Sequence, residues 1–531
     1  MENNNKQVLA IYDVRGIQSY IFKTPKVKDA IGASFTIENI IGEALKKAVE
    51  KLAIEQDKVA LDWCNDENYY KYEEDVKKQK KIEVLFIGGG NAYVLFENEE
   101  LGRKVNRFMS KYVLDKTYSL QLAIAMVEKT GNYAEDYQRL RETLVRVKEN
   151  MKLSKPLSAL PIMKIEANTG YPIREDKQID GVNVSLETYE KKCREKELRS
   201  GLIEQEKQYE QLVLNSKIAV VHMDGNNMGL RIRSLVQGIS DYTKAINKMR
   251  EISFYINNSY KKVFENMAKH FNKEKQRVIK VLVAGDDITY VCTAEWALAT
   301  VEYFCKNIVK YTMIGERDCQ KNMDDIKQFG FSVCAGIAYM GSHFPFYIAY
   351  EVAEECCDSA KERAKNRENM DICKLNDGTP IERVLNFVDF QMCKNIQAVD
   401  LDAVREKEYI TALGEQLCIR PYYIKTDADY GNQNEEKYFS FTKLKEAICY
   451  FQNEKNIPRS FAKELRNTYS MGENRVVMLQ NFLRSRNHKM PNRSNESYIE
   501  EKEEKIAKWY DALELMDLYK ELEEVTGGEQ V

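Results

Sequence analysis

Two adjacent carboxylates, Asp286 and Asp287, stand at the centre of the stretch VLVAGDDITYV (281–291), flanked on both sides by apolar residues. A pair of acids at the tip of a buried hairpin gains no packing and repels itself, so a divalent cation is a natural neutraliser. An Asp-rich turn with no ligand has the same signature. Gly285, just before the pair, removes a side chain where a ligand can approach the backbone. A third acid, Asp224, ends the apolar run IAVVHMD (218–224) and is followed by Gly225, Asn226, Asn227, Met228 and Gly229. Amides at such a strand-to-helix turn can cradle phosphate, with the helix dipole favouring negative charge; Asp224 taken singly can equally cap the helix. One strand-end acid plus a hairpin pair is the set two-metal phosphoryl transfer uses, in which shared carboxylates hold ions that activate a hydroxyl and stabilise leaving pyrophosphate.

Lys361 lies in AEECCDSAKERAKNREN (353–369), an amphipathic helical stretch, where it can reach a triphosphate from the side opposite the metals. A lysine on a helix is also an ordinary solvated residue. His222 shares the strand face of Asp224, but the four histidines form no HxxxH or His-Asp pair, so His222 reads as a hydrogen-bonded structural residue. With no GxSxG and no Walker-type loop, serine hydrolase and P-loop chemistry have no support.

The elements that must hold these groups occur twice. A strand at 8–12, helices, an apolar hairpin around 88–90, a helix and a strand at 120–127 are followed later by a strand at 218–223, helices through His270, the hairpin at 281–291, a helix and a strand at 331–340. This is an internal duplication of a βαββαβ unit, an order that leaves one sheet face for helices and the other free to line a cleft. DVRGIQSYIF (13–22) and IGGGNAYVLF (87–96) in the first copy hold the places of DGNNMGLRI (224–232) and VAGDDITYV (283–291) in the second. Residues 182–214 read as a helical connector, and from about Asp400 onward the pattern is amphipathic and helical, ending in the charged stretch 498–524. The expected organisation is a first βαββαβ domain at 1–150, a helical linker at 151–214, a second βαββαβ domain at 215–395 and a helical C-terminal domain at 396–531.

Composition narrows the classes further. In 531 residues, 80 Lys+Arg nearly balance 83 Asp+Glu, which removes the whole-chain footprint of a nucleic-acid binder; the basic run LRSRNHK (483–489) reads as a solvated face. Only 9 Pro and 25 Gly favour long regular elements. The longest apolar stretches are about half of the roughly 20 residues a membrane-spanning helix needs, and MENNNKQVLAIYDV lacks a signal-peptide pattern. Twelve cysteines with no CxxC pair suit neither a disulfide framework nor a zinc ribbon, so a reducing, cytoplasmic compartment without structural zinc is expected.

The GDD hairpin, the DGNNMG turn, FSVCAGIAYM with GSHFPFYIAYEVAEECCDSAK after it, and DVRGIQSYIF with IGAS together resemble the large polymerase-cyclase subunit of type III CRISPR effector complexes. The resemblance covers roughly the first 390 residues, and IRPYY (419–423) looks like the start of that family's thumb-like helical domain. The AExxxxxAK pattern ending at Lys361 is also similar to the corresponding helix of GGDEF cyclases. What the resemblance implies is an α+β protein of two ferredoxin-like palm domains plus a helical C-terminal domain. It implies a pyrophosphate-releasing nucleotidyltransferase that makes cyclic oligonucleotide messengers, cyclic oligoadenylate from ATP, in antiviral defence. Mg²⁺ or Mn²⁺ would be held by Asp224, Asp286 and Asp287, phosphates by the backbone of Gly225 to Gly229 with Gly285 close by, and the triphosphate by Lys361. Effector subunits and guide or target RNA would be partners. The alternatives are a cyclic dinucleotide synthase or a nucleotide-binding scaffold without turnover. The sequence departs from the family in having Ala284 where GGDD begins, Asn226 at the place of a second acid, no HD nuclease segment before the first palm, and no cysteines in ALPIMKIEANTGYPI (159–173). The first palm, with Gly88, Gly89, Gly90 and Asn91 at its hairpin, is expected to be catalytically silent.

Overall fold

The computed structural model of the chain describes residues 6–521 apart from 23–26, 66–67, 75–79, 89, 152–159, 168, 201–216, 230–237, 312–329, 375–379, 395–399, 428, 430–432, 492–495 and 502–503. Gly89 of the first hairpin, the 201–214 part of the expected connector and the end of the DGNNMGLRI stretch therefore lie outside the described residues. The chain divides into two compact units, one of residues 1–206, 227–261 and 281–286, the other of residues 207–226, 262–280 and 287–531.

The first unit contains β1 (Val8–Arg15), α1 (Ile17–Phe22), α2 (Val27–Lys51), β2 (Val59–Ala60), β3 (Ile82–Gly88), β4 (Asn91–Phe96), α3 (Glu99–Thr117), β5 (Gln121–Glu128) and α4 (Tyr133–Asn150). Its sheet order is β2-β3-β4-β1-β5, with β1 between β4 and β5 and antiparallel to both. The run VLAIY buries completely because β1 is covered on both faces, which is why it is apolar without alternation. Leu9 and Ile11 face Leu140 and Leu144 of α4 in a core that also takes in Tyr242, Ile246 and Met249. The linker region forms a hairpin of β6 (Ile173–Ile179) and β7 (Val182–Ser185) before α5 (Leu186–Ser200). The connector is thus helical only from Leu186; Val182 to Ser185 runs from exposed to buried and pairs with β6 as a strand.

The second repeat comprises β8 (Lys217–Gly225), α6 (Tyr242–Phe271), β9 (Val278–Ala284), β10 (Asp287–Thr293), α7 (Ala297–Ile308), β11 (Val333–Gly341) and α8 (Phe346–Ala364). A small hairpin, β12 (Asp371–Lys374) and β13 (Pro380–Arg383), precedes β14 (Phe387–Met392), α9 (Leu401–Glu408) and β15 (Tyr422–Tyr423). The sheet order β15-β14-β11-β8-β10-β9 shows the βαββαβ core extended by two strands, β14 parallel to β11 and β15 antiparallel to β14. The two palms foreseen from the repeat are present. One expectation changes: the face expected to line an open cleft is covered. Phe264 of α6 and Thr300 of α7 meet Tyr290 on one face, while α8 crosses the other against β11 and β8, as α4 does in the first copy.

The C-terminal region has α10 (Phe441–Gln452), α11 (Arg459–Tyr469), α12 (Glu473–Ser485), a hairpin of β16 (Tyr498–Glu501) and β17 (Glu504–Ala507), and α13 (Tyr510–Leu515). The charged stretch read as the end of a helical region therefore holds a hairpin followed by a short buried helix. Glu500 to Lys505 turns back on itself and pairs, and α13 buries every residue from Tyr510 to Leu515, which a one-faced amphipathic pattern does not anticipate.

Candidate active site

The ladder between β8 and β10 runs from Ile218 with Thr293 to Met223 with Ile288, so Asp224 and Asp287 are the next residues outward on neighbouring strands. Residues two apart on a pleated strand share a face, which puts His222, Asp224, Asp287 and Thr289 on one side. Both acids are partly open to solvent, with side chains 32% and 38% exposed. The turn between β9 and β10 is Gly285 and Asp286; Gly285 has φ +66°, the left-handed geometry that the first position of a tight hairpin turn asks for. That glycine places Asp286 at the tip and starts β10 on Asp287.

His222 is buried beneath this pair. Its Nδ1 lies 3.1 Å from Thr289 Oγ1 and 3.6 Å from Asp287 Oδ1, and Tyr350 of α8 packs edge-on at 5.5 Å. Burial pushes the imidazole pKa down to about 4, so the ring is neutral near pH 7 and serves as a hydrogen-bonding wall.

Lys361 reaches the site from α8 and donates to Asp224 Oδ2 at 2.5 Å, with Asp358 a helical turn away at 3.6 Å. Burial alone lowers the pKa of this ammonium; Cys357 and Asp224 beside it outweigh that, and the net shift is upward. The approach of α8 depends on Gly336, the partner of His222 on β11. A Cβ there would sit 1.9 Å from the Ala353 carbonyl oxygen and 2.4 Å from the Cys357 amide nitrogen, so only glycine lets the helix lie this close.

The turn after Asp224 is less open than its sequence suggests. Gly225 pairs with Val333 as the last residue of β8. The Asn226 amide donates to Ser332 O at 2.9 Å, and its buried side chain donates to Ser332 Oγ and Leu385 O, both at 3.1 Å. Asn226 is thereby committed to the protein and leaves the expected phosphate cradle. Asn227 takes a left-handed φ of +58°, Met228 is buried and Gly229 is exposed.

The first palm repeats this geometry without the hairpin acids, Gly90 and Asn91 standing in place of Asp286 and Asp287. Asp13 on β1 faces Asn91, the first residue of β4, and Lys148 on α4 donates to Asp13 Oδ2 at 2.7 Å. Asn91 stands where Asp287 stands in the second copy. Sequence reasoning passed over Lys148 and Gly336; a lysine near the end of the helix after each repeat's last strand was the signal for the first, and a lone glycine inside an apolar strand for the second.

For a hard divalent cation the donor chemistry fits, since Asp224 and Asp287 offer carboxylate oxygens on one face. Among the described residues no group of three or more His, Cys, Asp or Glu side chains forms a ready-made metal cage. Mg²⁺ is commonly held by one or two carboxylates with water and substrate phosphates completing its shell, which is the kind of site these residues can build.

A duplicated palm with an acidic hairpin in its second copy is the class this fold and site define. Residues 217–370, the segment that carries Asp224, Asp286, Asp287 and Lys361, match the family model "Cas10/Cmr2, second palm domain". The chain resembles the large subunit of type III CRISPR effector complexes, as its motifs indicated. It is similar to the apo Csm1-Csm4 cassette at 13% identity and a TM-score of 0.52, over 97% of this chain and 70% of that one. It is also similar to Csm1 in T. onnurineus (15% identity, TM-score 0.40, 71% of this chain and 55% of that one) and to a Csm1-Csm4 cassette in complex with AMPPNP (14%, 0.40, 68% and 54%). The chain thus spans about half the length of two of these three. No curated protein matches it. Among the described residues, no helix is long and apolar enough to cross a membrane.

Proposed function

We propose that the second palm is a divalent-metal-dependent nucleotidyltransferase that joins ATP molecules and closes the product into a cyclic oligoadenylate, as a signal in CRISPR-type defence. The observation that carries this reading is the pairing of Asp224 with Asp287 at the strand ends, next to Lys361, inside the segment that matches the Cas10/Cmr2 second palm. Asp224, Asp286 and Asp287 are the residues proposed to hold Mg²⁺ or Mn²⁺, which when bound supplies charge neutralisation for the triphosphate and lowers the pKa of an attacking hydroxyl. Lys361 contributes a cation to the transferring phosphates. His222, neutral, keeps the base of the site filled and hydrogen-bonded. Gly229 is a position where a substrate phosphate can approach backbone without meeting a side chain, while at Gly285 it would take over an amide that donates to Asn257 Oδ1 at 3.4 Å. Other effector subunits and guide or target RNA are proposed partners.

A second reading, a nucleotide-binding scaffold without turnover, draws on the missing three-carboxylate cage and the committed Asn226. Incubating the chain with each nucleoside triphosphate and Mg²⁺ or Mn²⁺, then weighing products by mass spectrometry, separates the two. Masses of cyclic oligoadenylates with matching pyrophosphate support the enzyme. Tight, saturable ATP binding with unchanged ATP after long incubation supports the scaffold.

A further inference from the structure

Lys361 and a metal ion compete for Asp224, because an ammonium already seated on a carboxylate repels a second cation approaching it. Asp224 Oδ2 accepts from Lys361 Nζ at 2.5 Å, on the residue that neighbours Asp287 at the strand ends. The ion pair is built into the fold: α8 is brought to the sheet by Gly336, the Lys361 side chain is only 20% exposed, and Asp358 at 3.6 Å offers the ammonium a second carboxylate when it leaves Asp224. The first palm gives an independent observation of the same device. There Lys148 holds Asp13 at 2.7 Å opposite Asn91, an arrangement with a single carboxylate that asks for a single cation. In the second palm Lys361 lies within reach of both Asp224 and Asp358, and Asp287 takes the place that Asn91 holds in the first.

Resting on the metal-dependent reading above, we propose that Lys361 acts as a resident counter-cation on Asp224, competing with the divalent ion for that carboxylate, so that the ion is bound tightly only when a triphosphate takes over the lysine. The missing three-donor cage points the same way, because phosphate oxygens must then complete the metal shell. The order that results is mutual: metal frees Lys361 for phosphate, and phosphate draws Lys361 from Asp224.

The test is Mn²⁺ binding to the nucleotide-free full chain, followed by electron paramagnetic resonance. Replacing the ammonium with an apolar side chain, Lys361→Met, should tighten Mn²⁺ about fivefold or more, with Lys361→Gln behaving alike and Lys361→Arg remaining close to wild type. Lys148→Met should add no Mn²⁺ site, because Asp13 faces an amide. Thermal unfolding of each variant controls for folding. Equal or weaker Mn²⁺ binding in both Lys361→Met and Lys361→Gln, with Asp287→Asn still abolishing it, overturns the competition while leaving the metal centre standing. Mn²⁺ binding that survives Asp287→Asn overturns the metal centre itself, and the inference with it.

Discussion

A single hydrogen atom decides how close α8 comes to β11. At Gly336 the missing side chain lets the Ala353 carbonyl and the Cys357 amide approach to distances at which any Cβ would overlap backbone, and backbone cannot rotate away as a flexible side chain can. Gly336→Ala should therefore cost about 1–3 kcal/mol and push α8 outward, lengthening the Lys361 to Asp224 contact. Thermal unfolding measures the first effect. The second appears as looser nucleotide binding out of proportion to the stability loss. Unchanged stability would mean that the helix has room the packing denies. That Asp224 and Asp287 end neighbouring strands was legible in the sequence from the repeated strand order and the acidic hairpin, whereas Lys361 read equally as an ordinary solvated lysine. Gly336 was not legible, since a glycine in a buried strand has many causes, and the commitment of Asn226 depends on Ser332 and Leu385, residues whose proximity no local pattern encodes.

At the scale of elements, the repeat was readable from period and order, and the strands from apolar runs bounded by turns. The additions were not. β14 and β15 join the second sheet after long excursions, and the hairpin β16–β17 hides in a charged stretch whose pairing is set by tertiary contacts rather than propensity. The placement of α6 in the first unit depends on one buried acid. Asp136 on α4 accepts from Thr130 N and Oγ1, both at 2.8 Å, and from Arg139 and the Tyr242 hydroxyl. Burial by itself raises this carboxyl; the hydrogen bonds outweigh it and hold its pKa below the ordinary value. A carboxyl depressed on folding adds stability above its unfolded pKa of about 3.9, and that stability is lost as pH falls through the lower folded value. Asp136→Asn should cost about 2 kcal/mol or more at pH 7. The gap in melting temperature between variant and wild type should shrink steadily as the buffer is taken from pH 5 to more acid. A gap independent of pH would show that the charge on Asp136 plays no part.

Over the whole molecule, the C-terminal region is tied to the second sheet by a buried ionic cluster rather than by apolar packing alone. Arg420 meets Glu514 at 3.0 Å and Asp511 at 3.5 Å, stacks on Phe390 and Tyr409, and is entirely buried. Asp511 in turn accepts from the Ile419 and Arg420 amides and the Tyr422 hydroxyl. Removing one member strands the others, so Arg420→Met should destabilise the second unit by about 3–5 kcal/mol, seen as an early melting transition; a variant as stable as wild type would mean the cluster is dispensable.

The central claim is that chemistry belongs to the second palm and not to the first, although both share a fold, a strand-end Asp and a lysine on it. The most direct measurement is cyclic oligoadenylate formed from ATP and Mn²⁺ by wild type, Asp287→Ala and Asn91→Ala, with thermal unfolding as the control. Loss of a metal-bearing carboxylate should cut product about a hundredfold or more in Asp287→Ala while the protein remains folded, and Asn91→Ala should keep synthesis within a fewfold of wild type. Full product from Asp287→Ala, or equal loss in the two variants, would contradict the assignment of the active site to the second palm.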